Sequence, residues 1–145
     1  MKVLLMNGPN LNLLGQREPE VYGHTTLADI EGMFRGYAAE RGVDQVDCFQ
    51  SNHEGALIDK IQESHGVYDG IVYNPGAHTH YSYAIHDAIT SVTTPVVEIH
   101  ISDISKRKEE FRHHSVLADA CIGQVKGHGA QGYLLALDML LEHLR

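Results

Sequence analysis

The sequence predicts an α/β fold in which a doubly wound parallel sheet of five strands carries helices on both faces. Three observations predict it. Five short apolar segments alternate with segments whose apolar residues recur at helical spacing. The strand segments are rich in Val, Leu and Ile with few polar interruptions, the pattern of strands buried on both faces. The chain has 145 residues, enough for a single domain, 1–145, with its own core.

Each element has a local reason. Lys2–Met6 is short, apolar and followed by the turn residues Asn7-Gly8-Pro9, which makes it a buried strand. Residues 7–24 form a long Asn-rich loop punctuated by Gly and Pro, and connections beyond about 12–15 residues are usually functional. Thr25 or Thr26 caps a helix reaching about Arg41, with Leu27, Ile30, Phe34, Tyr37 and Ala38 on one face and Gly42 as its stop. Val43–Gln50 is the second strand. Glu54–His65 is the second helix, with Leu57, Ile58 and Ile61 inward and Gly66 at its end. Tyr68–Tyr73 is the third strand, broken by Asn74-Pro75-Gly76. Tyr81–Ser91 is the third helix, with Ala84, Ile85, Ala88 and Ile89 inward. Val96–Ile101 follows Pro95 as the fourth strand. Lys106–His113 reads as a short charged helix, Ala120–Lys126 as the fifth strand and Gln131–Leu144 as the final helix. The leucines of that last helix make a stripe wider than one sheet-facing surface needs; a fully covered core helix and an oligomer contact both account for it. For five strands alternating with helices, the expected arrangement is flavodoxin-like, order 2-1-3-4-5. In that order Cys48 and Cys121 lie on opposite edges and cannot pair.

Composition excludes several classes. Eleven Lys plus Arg against 19 Asp plus Glu give a net charge of −8, a poor match to a nucleic-acid backbone. Two cysteines without a CxxC spacing exclude a disulfide framework and a thiolate zinc site, and suit a cytoplasmic protein. Val3–Met6 is too short for a secretory segment, and no apolar run approaches the roughly 20 residues of a membrane span. The excess is in histidine, 11 of them, a residue that serves as metal ligand, proton carrier or polar filler.

Open parallel sheets bind ligands beyond the carboxyl ends of their strands, which directs attention to Asn7–Asn10, the Gly15–Gly23 stretch, Asn74–His80 and Glu98–Ser102. Several motifs fail there. Gly127-His-Gly-Ala-Gln-Gly132 spells a dinucleotide fingerprint, but no strand follows to carry the acidic ribose ligand, so the glycines read as tight strand-to-helix packing. The first loop lacks the Lys-Ser/Thr of a P-loop, and Asn74 stands where a receiver phosphoacceptor would need Asp. His78, His80, His113 and His114 could seed a metal site with His100 as a third ligand, yet neither a second carboxylate nor an H-x-x-x-H spacing supports one. His24, His53, His65 and His143 read as surface residues.

Two pairs are more informative. Glu98 and His100, at i and i+2, share one face of an otherwise apolar central strand. Two polar side chains there are costly unless paired, so Glu98 is expected to fix the tautomer of His100 and hold it protonated as a general acid. Tyr22 and Arg17 share the long loop, which could close as a lid. A tyrosine base needs its pKa of about 10 brought toward 7, near 4 kcal/mol at 1.36 per unit, and a guanidinium is the obvious source.

Taken together, the segments N-G-P-N-L-N-x-L-G-x-R-E-P-x-x-Y-G at 7–23, N-P-G-A-x-T-H at 74–80, V-E-x-H-I-S at 97–102, E-E-F-R-H-H-S at 109–115 and G-x-Q-G-Y-x-L-A-L at 129–137 closely resemble the type II 3-dehydroquinate dehydratases. The resemblance implies a flavodoxin-like protomer, a homododecamer built as a tetramer of trimers, and dehydration of 3-dehydroquinate without cofactor or metal. It implies Tyr22 as base assisted by Arg17, Asn10 stabilising an enolate through a water, and His100 as acid oriented by Glu98. It also implies Asn74 and the amides of Ile101 and Ser102 at the hydroxyl and carboxylate end. His80 and Arg112 would bind ring hydroxyls, and Asp87 would reach across a subunit interface. The stretch Ser105–Glu109 is one residue longer than usual in the family, which leaves the placement of Arg107, Lys108 and Arg112 to the structure. Tyr81 and His86 also depart from it. The Schiff-base route of the unrelated type I enzymes is rejected, since every lysine falls away from the strand-end pocket. The alternatives are a non-catalytic flavodoxin-like anion-binding module and a histidine-based metal hydrolase.

Overall fold

A computed structural model of the chain describes residues 1–16, 20 and 23–145. The strands β1 (Lys2–Asn7), β2 (Gln45–Gln50), β3 (Gly70–Asn74), β4 (Val96–His100) and β5 (Gly123–Lys126) are all parallel, in the order β2-β1-β3-β4-β5. This is the predicted flavodoxin-like order, with β2 and β5 at the edges. The helices are α1 (Leu27–Glu40), α2 (Glu54–Ser64), α3 (Tyr83–Thr90) and α4 (Gln131–Leu144). None among the described residues is long and apolar enough to cross a membrane.

Alternation along each strand feeds two cores. Val3, Leu5, Val72, Val97 and Ile99 face α1 and α4, meeting Phe34, Ala136, Leu137 and Leu140. Leu4, Met6, Ile71, Tyr73 and Val96 face α2 and α3, meeting Leu57, Ile61, Ile85 and Ile89. Most of the α4 leucine stripe is consumed by the first core, and Leu135 alone among its large apolar residues is well exposed. Gly132 of the glycine-rich turn does pack closely: a Cβ there would lie 3.0 Å from Ile99 Cδ1. At the start of α1, Thr26 rather than Thr25 is the cap, in a reciprocal box with Asp29. Its end is a Schellman turn: Val43 N donates to Ala38 O, Gly42 N donates to Ala39 O, and Gly42 has φ 78°.

The region after β4 corrects the predicted helix over Lys106–His113. It consists of two separate 3₁₀ turns, Ile104–Lys106 and Glu110–His113, joined by extended backbone at Arg107 and Glu109. Asp103 starts the first turn by accepting from Ser105 N at 3.0 Å. Most of the segment is exposed, so no apolar face exists to stabilise a longer helix through packing. The fifth strand begins at Gly123 rather than Ala120, since Ala118–Ala120 forms a further 3₁₀ turn.

Candidate active site

The pocket floor is made where the ends of β1 and β3 meet. Asn7 pairs in register with Asn74, and Gly8 N donates to Asn74 O at 2.8 Å. The two turns approach so closely that a Cβ on Gly8 would lie 2.6 Å from Pro75 O, and one on Gly76 would lie 3.2 Å from Pro9 O. Gly76 also has φ 58°. Asn10 leaves this junction in the left-handed region, φ 70°, which Asn tolerates better than most residues. Its N–H donates to Asn52 Oδ1 at 2.9 Å.

Asn74 is fixed from beneath. Its Nδ2 donates to the buried Tyr133 hydroxyl at 2.9 Å, and its Oδ1 accepts from Gly76 N at 3.1 Å. Tyr133 in turn donates to Asn7 Oδ1 at 2.6 Å. The amide therefore has one orientation, with its second N–H left for a ligand.

β4 carries the dyad. Tyr73 and Glu98 are register partners, so His100 lies beyond the end of β3, at the carboxyl edge of the sheet. Glu98 is fully buried, and its Oε2 is 2.5 Å from His100 Nε2. Thr79 Oγ1 donates to the same oxygen at 2.5 Å, and Ser115 Oγ lies 2.9 Å from both carboxylate oxygens. Burial pushes the Glu98 carboxyl up, but the bonds from His100, Thr79 and Ser115 outweigh it and hold the group below its ordinary value. With Nε2 committed to Glu98, Nδ1 is the nitrogen of His100 that can serve a ligand.

A polar cavity of about 150 Å³ opens above these groups. It is lined by Asn10, Asn74, His80, His100, Ile101, Ser102, Arg107 and Arg112. The β4–β5 ladder ends at His100–Lys126, so the amides of Ile101 and Ser102 come just after it. His80 donates Nδ1–H to His114 O at 2.8 Å, which presents Nε2; burial lowers its pKa, an effect the His114 carbonyl partly opposes. Arg112 Nε is 3.3 Å from Glu109 Oε2, a charge-pair distance without hydrogen-bond geometry.

Nine of the expected site residues are thus described, and eight of them line the cavity or, as Glu98 does, back it. Asp87 is the exception: it lies exposed on α3, 3.2 Å from His86 Nδ1 and away from the cavity. Tyr22 and Arg17 lie outside the described residues. Sequence reasoning left the placement of Arg107 open, and it lies in the cavity wall; two participants were missed, Thr79 and Ser115 behind Glu98. The last two stand inside the quoted 74–80 and 109–115 motifs, which is the only sequence signal for them. The histidine metal cluster weighed from the sequence is not assembled: among the described residues no three His, Cys, Asp or Glu side chains converge to hold an ion.

Fold and pocket together define a flavodoxin-like α/β protein whose site offers paired acid–base groups and cationic side chains to a small polar ligand. Residues 1–141 match the family described as dehydroquinase class II. A 3-dehydroquinate dehydratase of Bacillus cereus is 58% identical over 144 residues, 99% of this chain and 97% of its own length. The crystal structure of a type II dehydroquinase from Butyrivibrio crossotus superimposes with a TM-score of 0.93 at 52% identity, covering 97% of each chain. That of the Propionibacterium acnes type II dehydroquinase gives 0.92 at 41% identity, covering 97% of this chain and 96% of its own. The chain belongs to the class II dehydroquinase family and is a hydro-lyase.

Proposed function

We propose that the chain dehydrates 3-dehydroquinate to 3-dehydroshikimate and water by anti elimination through an enolate, with no cofactor. The observation that carries this reading is the buried Glu98–His100 contact at 2.5 Å beneath a cavity walled by Asn74, His80 and Arg112.

In this reading Tyr22, as a phenolate stabilised by Arg17, removes the proton α to the ketone. The electrons move into the carbonyl, and Asn10, through a water, stabilises the resulting enolate. His100 Nδ1 then delivers a proton to the departing hydroxyl as the enolate collapses, releasing water and the conjugated enone. Acid catalysis of this kind contributes about 10²–10⁴ in rate. Asn74 and the Ile101 and Ser102 amides hold the hydroxyl and carboxylate end, while His80 and Arg112 take ring hydroxyls. The exposed position of Asp87 suits a contribution to a neighbouring subunit's site in a trimer, four of which would make the dodecamer.

The test is to follow the absorbance of the conjugated enone after mixing purified protein with 3-dehydroquinate in metal-free buffer. Turnover is expected, and Tyr22→Phe should abolish it with the circular dichroism spectrum unchanged. Saturable binding of 3-dehydroquinate with no absorbance change would instead identify a non-catalytic anion-binding module.

A further inference from the structure

The functional reading assigns a proton donor and an orienting carboxylate but leaves unexplained what keeps the proton on the donor. The contact between His100 Nε2 and Glu98 Oε2 spans only 2.5 Å, and Glu98 is fully buried. A buried carboxylate is penalised by several kcal/mol unless donors satisfy it. Without enough of them, the cheaper state is neutral: the Nε2 hydrogen crosses to Glu98, and a neutral imidazole remains. Such an imidazole is a much weaker acid than the imidazolium that the elimination step needs.

We infer that Thr79 and Ser115 are positioning residues for proton transfer: their hydroxyls hold Glu98 as a carboxylate, so that the shared proton stays on His100 Nε2. Three contacts carry the inference. Thr79 Oγ1 is 2.5 Å from Oε2, and Ser115 Oγ is 2.9 Å from each carboxylate oxygen. Thr79 Oγ1 and Ser115 Oγ are 2.8 Å apart, and Ser115 Oγ also accepts from Leu117 N at 3.1 Å. The two hydroxyls have one hydrogen each, and an ionised Glu98 accepts both together with the His100 hydrogen. Thr79 is itself fully buried, in the Gly76–His80 turn that also carries His80 into the pocket wall. One short segment thereby supplies a wall residue on one side and a carboxylate donor on the other.

The other titratable groups facing Glu98 do not compete for this role. Tyr73 from β3 and Cys121 from the segment before β5 are both pushed far up by burial and stay neutral through the working range. His80 is pushed down by burial, and its Nδ1–H is spent on the His114 carbonyl. Only Thr79, Ser115 and His100 are within hydrogen-bond distance of the carboxylate among the described residues.

The kinetic arm of the test rests on the dehydratase reading; a spectroscopic arm does not. In the T79V/S115A variant the nitrogen shifts of His100, labelled with ¹⁵N, should change from a protonated Nε2 to an unprotonated Nε2 with the hydrogen on Nδ1. Its kcat on 3-dehydroquinate should fall about tenfold or more with KM within about twofold, the pattern of an interaction made in the transition state. The alkaline limb of its kcat profile should stay in place or move to higher pH, since losing donors destabilises only the states with ionised Glu98. Thr79→Ser, which keeps the hydroxyl, should match the wild type in all three. A double variant with Nε2 still protonated and kcat within about twofold overturns the inference, as does a Thr79→Ser enzyme as impaired as Thr79→Val. If the double variant does not fold, Ser115→Ala alone at its half-buried position is held to the same criteria. If the wild type does not turn over 3-dehydroquinate, the functional reading fails, and the nitrogen shifts still decide where the proton sits.

Discussion

At the scale of single residues, the acid–base pair was legible and its supports were not. A strand exposes its faces with period two, so Glu98 and His100 stood out as two costly groups on one apolar face. Thr79 and Ser115 are separated by 36 positions, and neither hydroxyl is unusual in composition or pattern. Only folding brings them to one carboxylate. The charge of Glu98 is therefore testable apart from its shape. In Glu98→Gln the volume is kept, but an amide carries two donors where the site supplies three, so one hydroxyl or the His100 N–H loses its acceptor. A drop in kcat of about 10²–10⁴ is expected, the usual span for losing acid catalysis, with KM changed little. Steady-state kinetics beside a urea unfolding curve checks it; full activity in a folded Glu98→Gln enzyme would rule Glu98 out of catalysis.

At the scale of elements, the regular parts were legible because pattern and punctuation agree. Apolar runs, helical spacing and the stops at Gly42 and Gly66 all name the same boundaries to within a few residues. The segment between β4 and β5 was misread because its charge pattern resembles an exposed helix, while Asp103 and the extended Arg107 and Glu109 break it into turns. The ends of β1 and β3 were read as turns, but their contact could not be seen, because no local signal says that two turns will touch. That contact has a specific weak point. Gly8 lacks a side chain because Pro75 O would be 2.6 Å from its Cβ, and the obstacle is backbone. Gly8→Ala must part the two turns that carry Asn10 and Asn74. A loss of about 1–3 kcal/mol is expected, the usual cost of overpacking, together with a raised KM from the displaced asparagines. Unchanged KM with lowered stability would show that the junction braces the fold without setting the site.

At the scale of the whole molecule, the 11 histidines separate by burial into groups with different consequences. His24, His53, His65, His114, His128 and His143 are exposed, His86 lies between Asp87 and Asp119 on the outer surface, and His113 is half-buried with Nε2 on the Arg107 carbonyl. His80 and His100 line the pocket, and His78 is buried in the same turn as His80 without lining it. Burial pushes His78 and His80 below the ordinary histidine value. Each therefore binds a proton more readily in the unfolded chain, and stability must fall as pH drops from about 6.5 through their folded values. Glu98, also held below its ordinary value, adds a second loss that begins as pH falls below about 4.3. Urea unfolding measured from about pH 8 downward should thus show stability level to about pH 7 and declining in two stages below it. The first stage belongs to the rings, so a His78→Asn, His80→Asn double variant should lose it and keep the second. Asn at position 80 can still donate toward the His114 carbonyl that His80 Nδ1–H serves, which limits the structural cost of that exchange. A first stage that survives in the double variant would assign it to histidines elsewhere in the molecule and detach these two rings from the pH response of the fold.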